Sequence, residues 1–218
     1  MENPYLPCFE MIYVIVNYGI GSKVLRKAKE HGVRGGTVVL GKGTIKNALC
    51  NFLSLYDESK EIVLLGADWK TAEYALDELN RDFKFDKPNH GIAFSTGITD
   101  IIGSKCEKID KAERGAEPMY KLITTIVNRG KAEDVIDAAN EVGAKGGTII
   151  NARGSGIHET KKLFNMEIEP EKEMVLIIAS TESAERIVNT IREKLELDKP
   201  GNGIAFIQDV NRAYGIYE

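Results

Sequence analysis

The spacing of apolar residues predicts the same six elements in each half of the chain. A strand rich in β-branched residues comes first, followed by apolar residues at helical spacing, two strands, a second helix and a short last strand. The order βαββαβ is the split-βαβ, or ferredoxin-like, arrangement, with both helices on one face of an antiparallel sheet. The expected fold class is therefore α+β, with two tandem ferredoxin-like domains.

The bounds of these elements follow from the same pattern. In the first half, strands are predicted at residues 11–16, 37–40, 62–67 and 91–94, and helices at 22–31 and 69–83. In the second half, strands are predicted at 120–128, 148–152, 174–179 and 203–207, and helices at 131–142 and 183–195. We therefore expect a first domain at 9–97, a linker at 98–118 and a second domain at 119–218.

The two halves also repeat each other residue by residue. Residues 12–37 and 123–148 share 12 of 26 positions at an offset of 111, and residues 91–94 return unchanged as 203–206 at an offset of 112. Solenoid repeats have periods of about 20–50 residues, so repeats of about 100 residues indicate tandem domains.

Composition narrows the function classes. The chain has 218 residues, a net charge of −4 and 43% hydrophobic residues, and no apolar run approaches the length of a membrane span. The acidic balance argues against a nucleic-acid partner. Three scattered cysteines and three histidines offer no metal-ligand spacing, and the start of the chain predicts no signal peptide. The expected location is the reducing cytoplasm.

Glycines at three bends of the second copy are the candidate chemistry. They lie in residues 146–148, 153–156 and 201–203, together with Arg153 and Thr148. Bare backbone amides, a guanidinium and a hydroxyl are groups that phosphate oxygens bind. The alternative is that these glycines serve only the turns. The first copy differs, with 42–45 reading Lys-Gly-Thr-Ile, and no nucleophile–base pair is present.

The order of elements, the Gly-Gly-Thr before the second strand, the Arg-Gly-Ser-Gly after it and the late Gly-x-Gly-Ile-Ala-Phe resemble the PII signal-transduction family, in its PII-like branch. The resemblance implies a homotrimer that is not an enzyme, has no covalent cofactor and binds ATP, ADP or AMP in clefts between domains. It also implies a loop between the second and third strands that docks onto a protein target, such as a membrane transporter or a metabolic enzyme.

Carried over by motif, the resemblance assigns ligand-binding residues in both copies. They are Thr37, Lys42, Gly43, Gly91, Thr148, Arg153, Gly154, Gly156, Gly201 and Gly203. The chain departs from the family where a lysine usually follows the Gly-x-Gly, because Ile92 and Ile204 stand there. The arginine-rich C-terminal strand is reduced to Arg212. Each missing cation removes a charge-assisted contact of roughly 1.5–3 kcal/mol.

The loop of the second copy carries the candidate docking residues. They are His158, Lys161, Lys162, Phe164 and Met166. A short helix that exposes Phe164 and Met166 would form a docking tip, whereas the alternative has Phe164 packed onto its own domain. Two other classes stay open: a structural or metal-related trimer resembling the CutA family, and an enzyme or enzyme appendage on the same fold.

Overall fold

The computed structural model describes residues 9–44, 59–98, 118–153 and 170–216, and the backbone of 5–6, 109–110, 161–163 and 166–168. The chain divides into two compact units, each discontinuous in sequence. Unit 1 comprises Met1–Val39, Lys60–Tyr120 and Asp209–Glu218, and unit 2 comprises Leu40–Ser59 and Lys121–Gln208. The linear division at 9–97 and 119–218 stays a prediction.

Unit 1 has helices α1 (Gly21–Glu30) and α2 (Trp69–Phe83). Its main strands are β2 (Phe9–Asn17), β4 (Ser59–Asp68) and β5 (Ile92–Ile98), and β2 pairs antiparallel with both others. The first residues of β3 (Gly36–Gly43) also belong to this unit. Short strands β1 (Tyr5–Leu6) and β6 (Ile109–Asp110) pair antiparallel, so the expected linker contains a strand.

Unit 2 repeats this plan with α3 (Ala132–Glu141) and α4 (Thr181–Lys194). Its strands are β7 (Tyr120–Asn128), β8 (Thr148–Arg153) and β11 (Glu171–Ser180), and β11 pairs antiparallel with β8. The end of β3 pairs with β8, and the first residues of β12 (Ile204–Tyr214) belong here. Antiparallel sheets with helices confirm the ferredoxin-like α+β fold class.

Each unit has its own hydrophobic core between sheet and helices. In unit 1, Ile12, Val14 and Val16 alternate along β2 and pack with Ala72 and Leu76 of α2. In unit 2, Ile123 and Val127 of β7 pack with residues of α3 and α4. The helices bury their apolar stripes here because a sheet face and a helix stripe must cover each other. The longest helix of the described ranges has 15 residues, and no helix there is both long and apolar enough to cross a membrane.

The last strand is longer than its pattern predicts. Its expected end was residue 207, but β12 continues to Tyr214, and residues 210–214 pair with β5 in unit 1. Asn211 and Arg212 make this stretch too polar to be recognised as a strand. Their partners are remote in sequence, since the Asn211 amide donates to Glu10 at 3.1 Å and Arg212 contacts α2.

Thr125 is an isolated polar group in the core of unit 2. Its side chain is 0% exposed, and its hydroxyl has no hydrogen-bond partner among the described residues. The equivalent position of the first copy holds Val14, which is also 0% exposed. A buried hydroxyl without a partner costs about 1–3 kcal/mol.

We therefore expect Thr125→Val to raise the free energy of unfolding by about 1 kcal/mol or more. Val14→Thr, the reciprocal change in the other copy, should lower it by a similar amount. Urea denaturation followed by circular dichroism measures both. A loss of stability in Thr125→Val would show that the hydroxyl is satisfied in solution.

Candidate functional site

The doubled glycines are required by packing within their own repeat. A Cβ at Gly147 would lie 2.8 Å from the Leu176 carbonyl oxygen, and one at Gly36 would lie 2.7 Å from that of Leu64. Gly203 has φ +134°, and a Cβ there would lie 2.5 Å from the carbonyl oxygen of Ile126. A Cβ at Gly91 would likewise lie 2.6 Å from the carbonyl oxygen of Ile15. These close approaches explain why the glycines recur, so their ligand-binding role stays a prediction.

The other backbone positions of the expected site also lie at bends or in strands. Gly201 has φ +90°, and its carbonyl accepts a hydrogen bond from the Asn128 amide at 3.2 Å. Gly43 is opposite Thr148 in the β3–β8 register. Thr148 is buried, whereas Thr37 is exposed. The two copies therefore present their equivalent threonines differently.

The two expected phosphate-binding cations have different surroundings. Lys42 ends in an ion pair with Glu133 of α3, with Nζ 3.2 Å from Oε1. Arg153, its equivalent in the second copy, is exposed at the end of β8, and its side chain makes no hydrogen bond or ion pair within the described ranges. The charge of Lys42 is thus already compensated, while that of Arg153 faces solvent.

Arg153 lies in a shallow depression of about 420 Å³ at the strand ends of unit 2. Its lining comprises Arg129, Asn151, Ala152, Arg153, Glu171 and Lys172. Three cations and one carboxylate make this corner electropositive. Arg129 Nη1 is ion-paired with Glu171 Oε2. This hydrogen bond, the charge of Arg129 and the nearby Arg153 hold the pKa of Glu171 below its ordinary value, so Glu171 is ionised at neutral pH.

Sequence reasoning missed Arg129. It follows the first strand of its copy, outside the glycine bends that directed attention to Arg153. The sequence indicates Arg129 only through a difference between the two copies, because the equivalent residue in the first copy is Tyr18.

A carboxylate at the start of the first helix recurs in both units. In unit 2, the amides of Gly130 and Ala132 donate to Glu173 Oε2 at 3.0 and 2.9 Å. In unit 1, the amide of Gly21 donates to Glu61 Oε2 at 2.5 Å. A carboxylate is favourable at a helix N-terminus because it accepts otherwise unpaired amide hydrogens. These two helix starts are therefore occupied by the chain's own anions.

A neighbouring lysine–asparagine hydrogen bond is also doubled. Lys60 donates to Asn17 Oδ1, and Lys172 donates to Asn128 Oδ1, each at 2.6 Å. The bonds tie the third strand of each copy to the end of the first strand. Lys172 therefore combines a structural contact with its place in the electropositive depression.

Arg212, the only candidate from the reduced C-terminal strand, has carboxylate partners in unit 1. Its guanidinium contacts Glu73 at 2.5 Å and Asp77 at 2.6 Å on α2. The Tyr214 hydroxyl donates to the same Asp77 at 2.5 Å, and burial followed by this hydrogen bond raises the pKa of Tyr214. Arg212 thus fastens the last strand to α2.

Much of the expected loop lies outside the described residues. Gly154, Gly156, His158 and Phe164 are in this part of the chain. Backbone alone is described for Lys161 and Lys162 in β9 (Lys161–Leu163) and for Met166 in β10 (Met166–Ile168). These strands pair antiparallel, so the alternative of a short helix that includes Met166 is wrong. A strand pair satisfies its backbone groups across the loop, which one short helical turn cannot do.

An antiparallel ferredoxin-like sheet with two helices, and a cationic corner at the end of the second strand, describe a class of small α+β proteins. The family of nitrogen regulatory protein P-II matches residues 120–218. A nitrogen fixation nifHD region GlnB-like protein 1 of Methanothermobacter marburgensis is 33% identical over 97 residues, 44% of this chain and 92% of the relative. The chain belongs to the P-II family.

Two further comparisons give the range of similarity. Nitrogen regulatory protein P-II 1 of Methanothermobacter thermautotrophicus is 32% identical over 94 residues, which are 40% of this chain and 81% of the relative. The crystal structure of Arabidopsis thaliana PII bound to citrate has 22% identity and a TM-score of 0.33, covering 43% of this chain and 77% of that structure. P-II proteins are signalling regulators, which favours the regulatory interpretation over a CutA-like trimer or an enzyme.

Proposed function

We propose that this P-II family protein senses a small anionic metabolite, an adenine nucleotide, and controls a protein partner through the loop that follows β8. The observation that carries the proposal is the exposed Arg153, whose side chain makes no hydrogen bond or ion pair among the described residues and which immediately precedes residues 154–170. A cation at the start of a docking loop can link the charge of a ligand to the conformation of that loop.

The proposed mechanism is a shift between loop states. The phosphate groups contact Arg153 and the amides of the glycines that follow it, and this restricts residues 154–170. A ligand shifts a conformational equilibrium only by its differential affinity for the two states. A partner that prefers one loop state, for example a transporter or a metabolic enzyme, then responds to the metabolite.

Calorimetric titration tests this function. The purified chain is titrated with ATP, ADP, AMP and cyclic nucleotides, each with and without bicarbonate or 2-oxoglutarate. We expect binding of at least one adenine nucleotide and a change in the protease sensitivity of residues 154–170. Heat from none of them, with unchanged proteolysis, would exclude the sensor function.

Gly154→Val should abolish nucleotide binding, because a branched side chain at this position blocks the approach of phosphate to the backbone. Gly35→Ala is the matched control, since nothing lies within 4 Å of a Cβ there and its φ is not positive. Unchanged nucleotide affinity in Gly154→Val would show that the ligand binds elsewhere.

A further inference from the structure

Cations from two strand ends of unit 2 lie near the Glu171 carboxylate. Arg129, just after β7, is ion-paired with it. Arg153 stands directly opposite Glu171 in the β8–β11 register. Opposed residues of an antiparallel pair have Cβ atoms about 4.5–5.5 Å apart, so the Arg153 guanidinium can reach the same carboxylate. The Glu171 carboxylate is therefore bound by one guanidinium group and lies within electrostatic range of a second.

The ion pair of Arg129 and Glu171 is open to solvent. The side chains are 66% and 51% exposed, so water and external ions compete for both. An exposed pair of this kind contributes little to stability. The exchange of Glu171 for a more highly charged anion therefore costs the fold little.

Phosphate suits this corner better than a carboxylate does. Two guanidinium groups offer forked pairs of N–H donors, and a phosphate presents enough oxygens to accept from both at once. The amide of Asn151 and the charge of Lys172 line the same depression. The lining has three cations and one carboxylate, and a second carboxylate, that of Glu173, lies within electrostatic range of Arg129.

The first copy lacks this arrangement. Tyr18 stands where the second copy has Arg129, and Leu40 stands where it has Asn151. Both are among the exposed large hydrophobic residues, at 60% and 61%. Lys42, the equivalent of Arg153, is bound to Glu133. The two copies are thus chemically distinct at equivalent positions.

We propose that Arg129 and Arg153 form a phosphate-binding site that exists only in the second repeat, in which the incoming phosphate displaces Glu171 from Arg129. The site deepens the proposed function, on which it rests for the identity of the phosphate-bearing metabolite. Glu171 competes with external anions for Arg129, so weakly charged anions do not displace it. The second repeat is then the sensing half of the chain.

Inorganic pyrophosphate is the probe, titrated calorimetrically into the full chain at constant low ionic strength. Arg129→Gln and Arg153→Gln should each weaken binding about tenfold or more, the loss of one charge-assisted contact. Arg34→Gln, which removes an exposed cation of the first repeat, should leave the affinity unchanged. Equal weakening by Arg34→Gln, or none by either arginine variant, would overturn the proposal.

Removal of the Glu171 carboxylate should change the affinity for pyrophosphate in the opposite direction. Glu171→Gln should strengthen pyrophosphate binding severalfold, whereas Glu185→Gln, which removes an exposed charge on α4, should not. A variant that merely perturbed the fold would not bind more tightly. Equal effects of the two variants would indicate a general charge effect and would overturn the displacement of Glu171.

A parallel ATP titration separates this site from the proposed function. If both arginine variants bind ATP with unchanged affinity, the proposed site is overturned and the nucleotide-sensing function still stands. Arginine-dependent pyrophosphate binding without any ATP binding or competition would keep the site and overturn the nucleotide assignment. Absence of binding by both ligands would overturn both.

Discussion

Phe94→Ala is expected to lower the free energy of unfolding by about 3–5 kcal/mol, the cost of truncating a buried phenylalanine. Phe94 is 0% exposed, and its ring stacks on Tyr13 with centroids 4.8 Å apart and planes 4° apart. Strand β5, which carries Phe94, is hydrogen-bonded to β2 on one side and to β12 on the other, so the resulting cavity cannot collapse easily.

The second copy provides the control for this change. Phe206 occupies the equivalent position but is 41% exposed. Phe206→Ala should therefore cost only about 1 kcal/mol, since much of its apolar surface is already in water. Chemical denaturation of both variants measures the difference. Equal losses would contradict the different burial of the two rings.

Gly203→Ala is expected to destabilise the protein by roughly 3 kcal/mol or more, because two penalties act together. The φ of +134° is unfavourable for any residue with a Cβ, and that Cβ would lie 2.5 Å from a backbone carbonyl oxygen of β7. Neither the carbonyl nor the strand can move without breaking sheet hydrogen bonds.

Two other glycines separate these penalties. Gly130 has φ +86° with nothing within 4 Å of a Cβ, so Gly130→Ala carries the conformational cost of about 1–2 kcal/mol alone. Gly35→Ala carries neither penalty. The midpoint temperature of thermal unfolding of Gly203→Ala should therefore be well below that of Gly130→Ala, and that of Gly130→Ala should be below that of Gly35→Ala. A mild effect at Gly203 would refute the close packing of this bend.

Local signals suffice for the helices. The prediction of α2 at residues 69–83 agrees with the structure at both ends. Its apolar stripe is regular, Asp68 accepts a hydrogen bond from the Thr71 amide at 3.1 Å, and Lys84 ends the helix in the left-handed conformation. Each of these determinants lies within a few residues in sequence.

The extension of β12 depends on residues that are remote in sequence. Residues 210–214 form a strand because they pair with β5 and because Arg212 and Tyr214 bind Asp77, more than 130 positions earlier. No pattern within a short window contains that information.

Only part of the proposed site can be proposed from the sequence. Arg153 is a candidate because it precedes a glycine-rich bend, whereas Arg129 becomes one only through the pairing of β8 with β11 and the ion pair to Glu171. The comparison of the two copies nevertheless marks both arginines as differences, Tyr18 against Arg129 and Lys42 against Arg153. Divergence between repeats was therefore a better indicator of this corner than the glycines they share.

Hydrogen–deuterium exchange of the full chain, with and without ATP, tests the central claim most directly. If an anionic ligand at the end of β8 controls the docking loop, peptides covering residues 154–170 should exchange more slowly when ATP is bound, and peptides of α2 should not change. Exchange of residues 154–170 that is identical at saturating ATP would contradict a ligand-controlled loop.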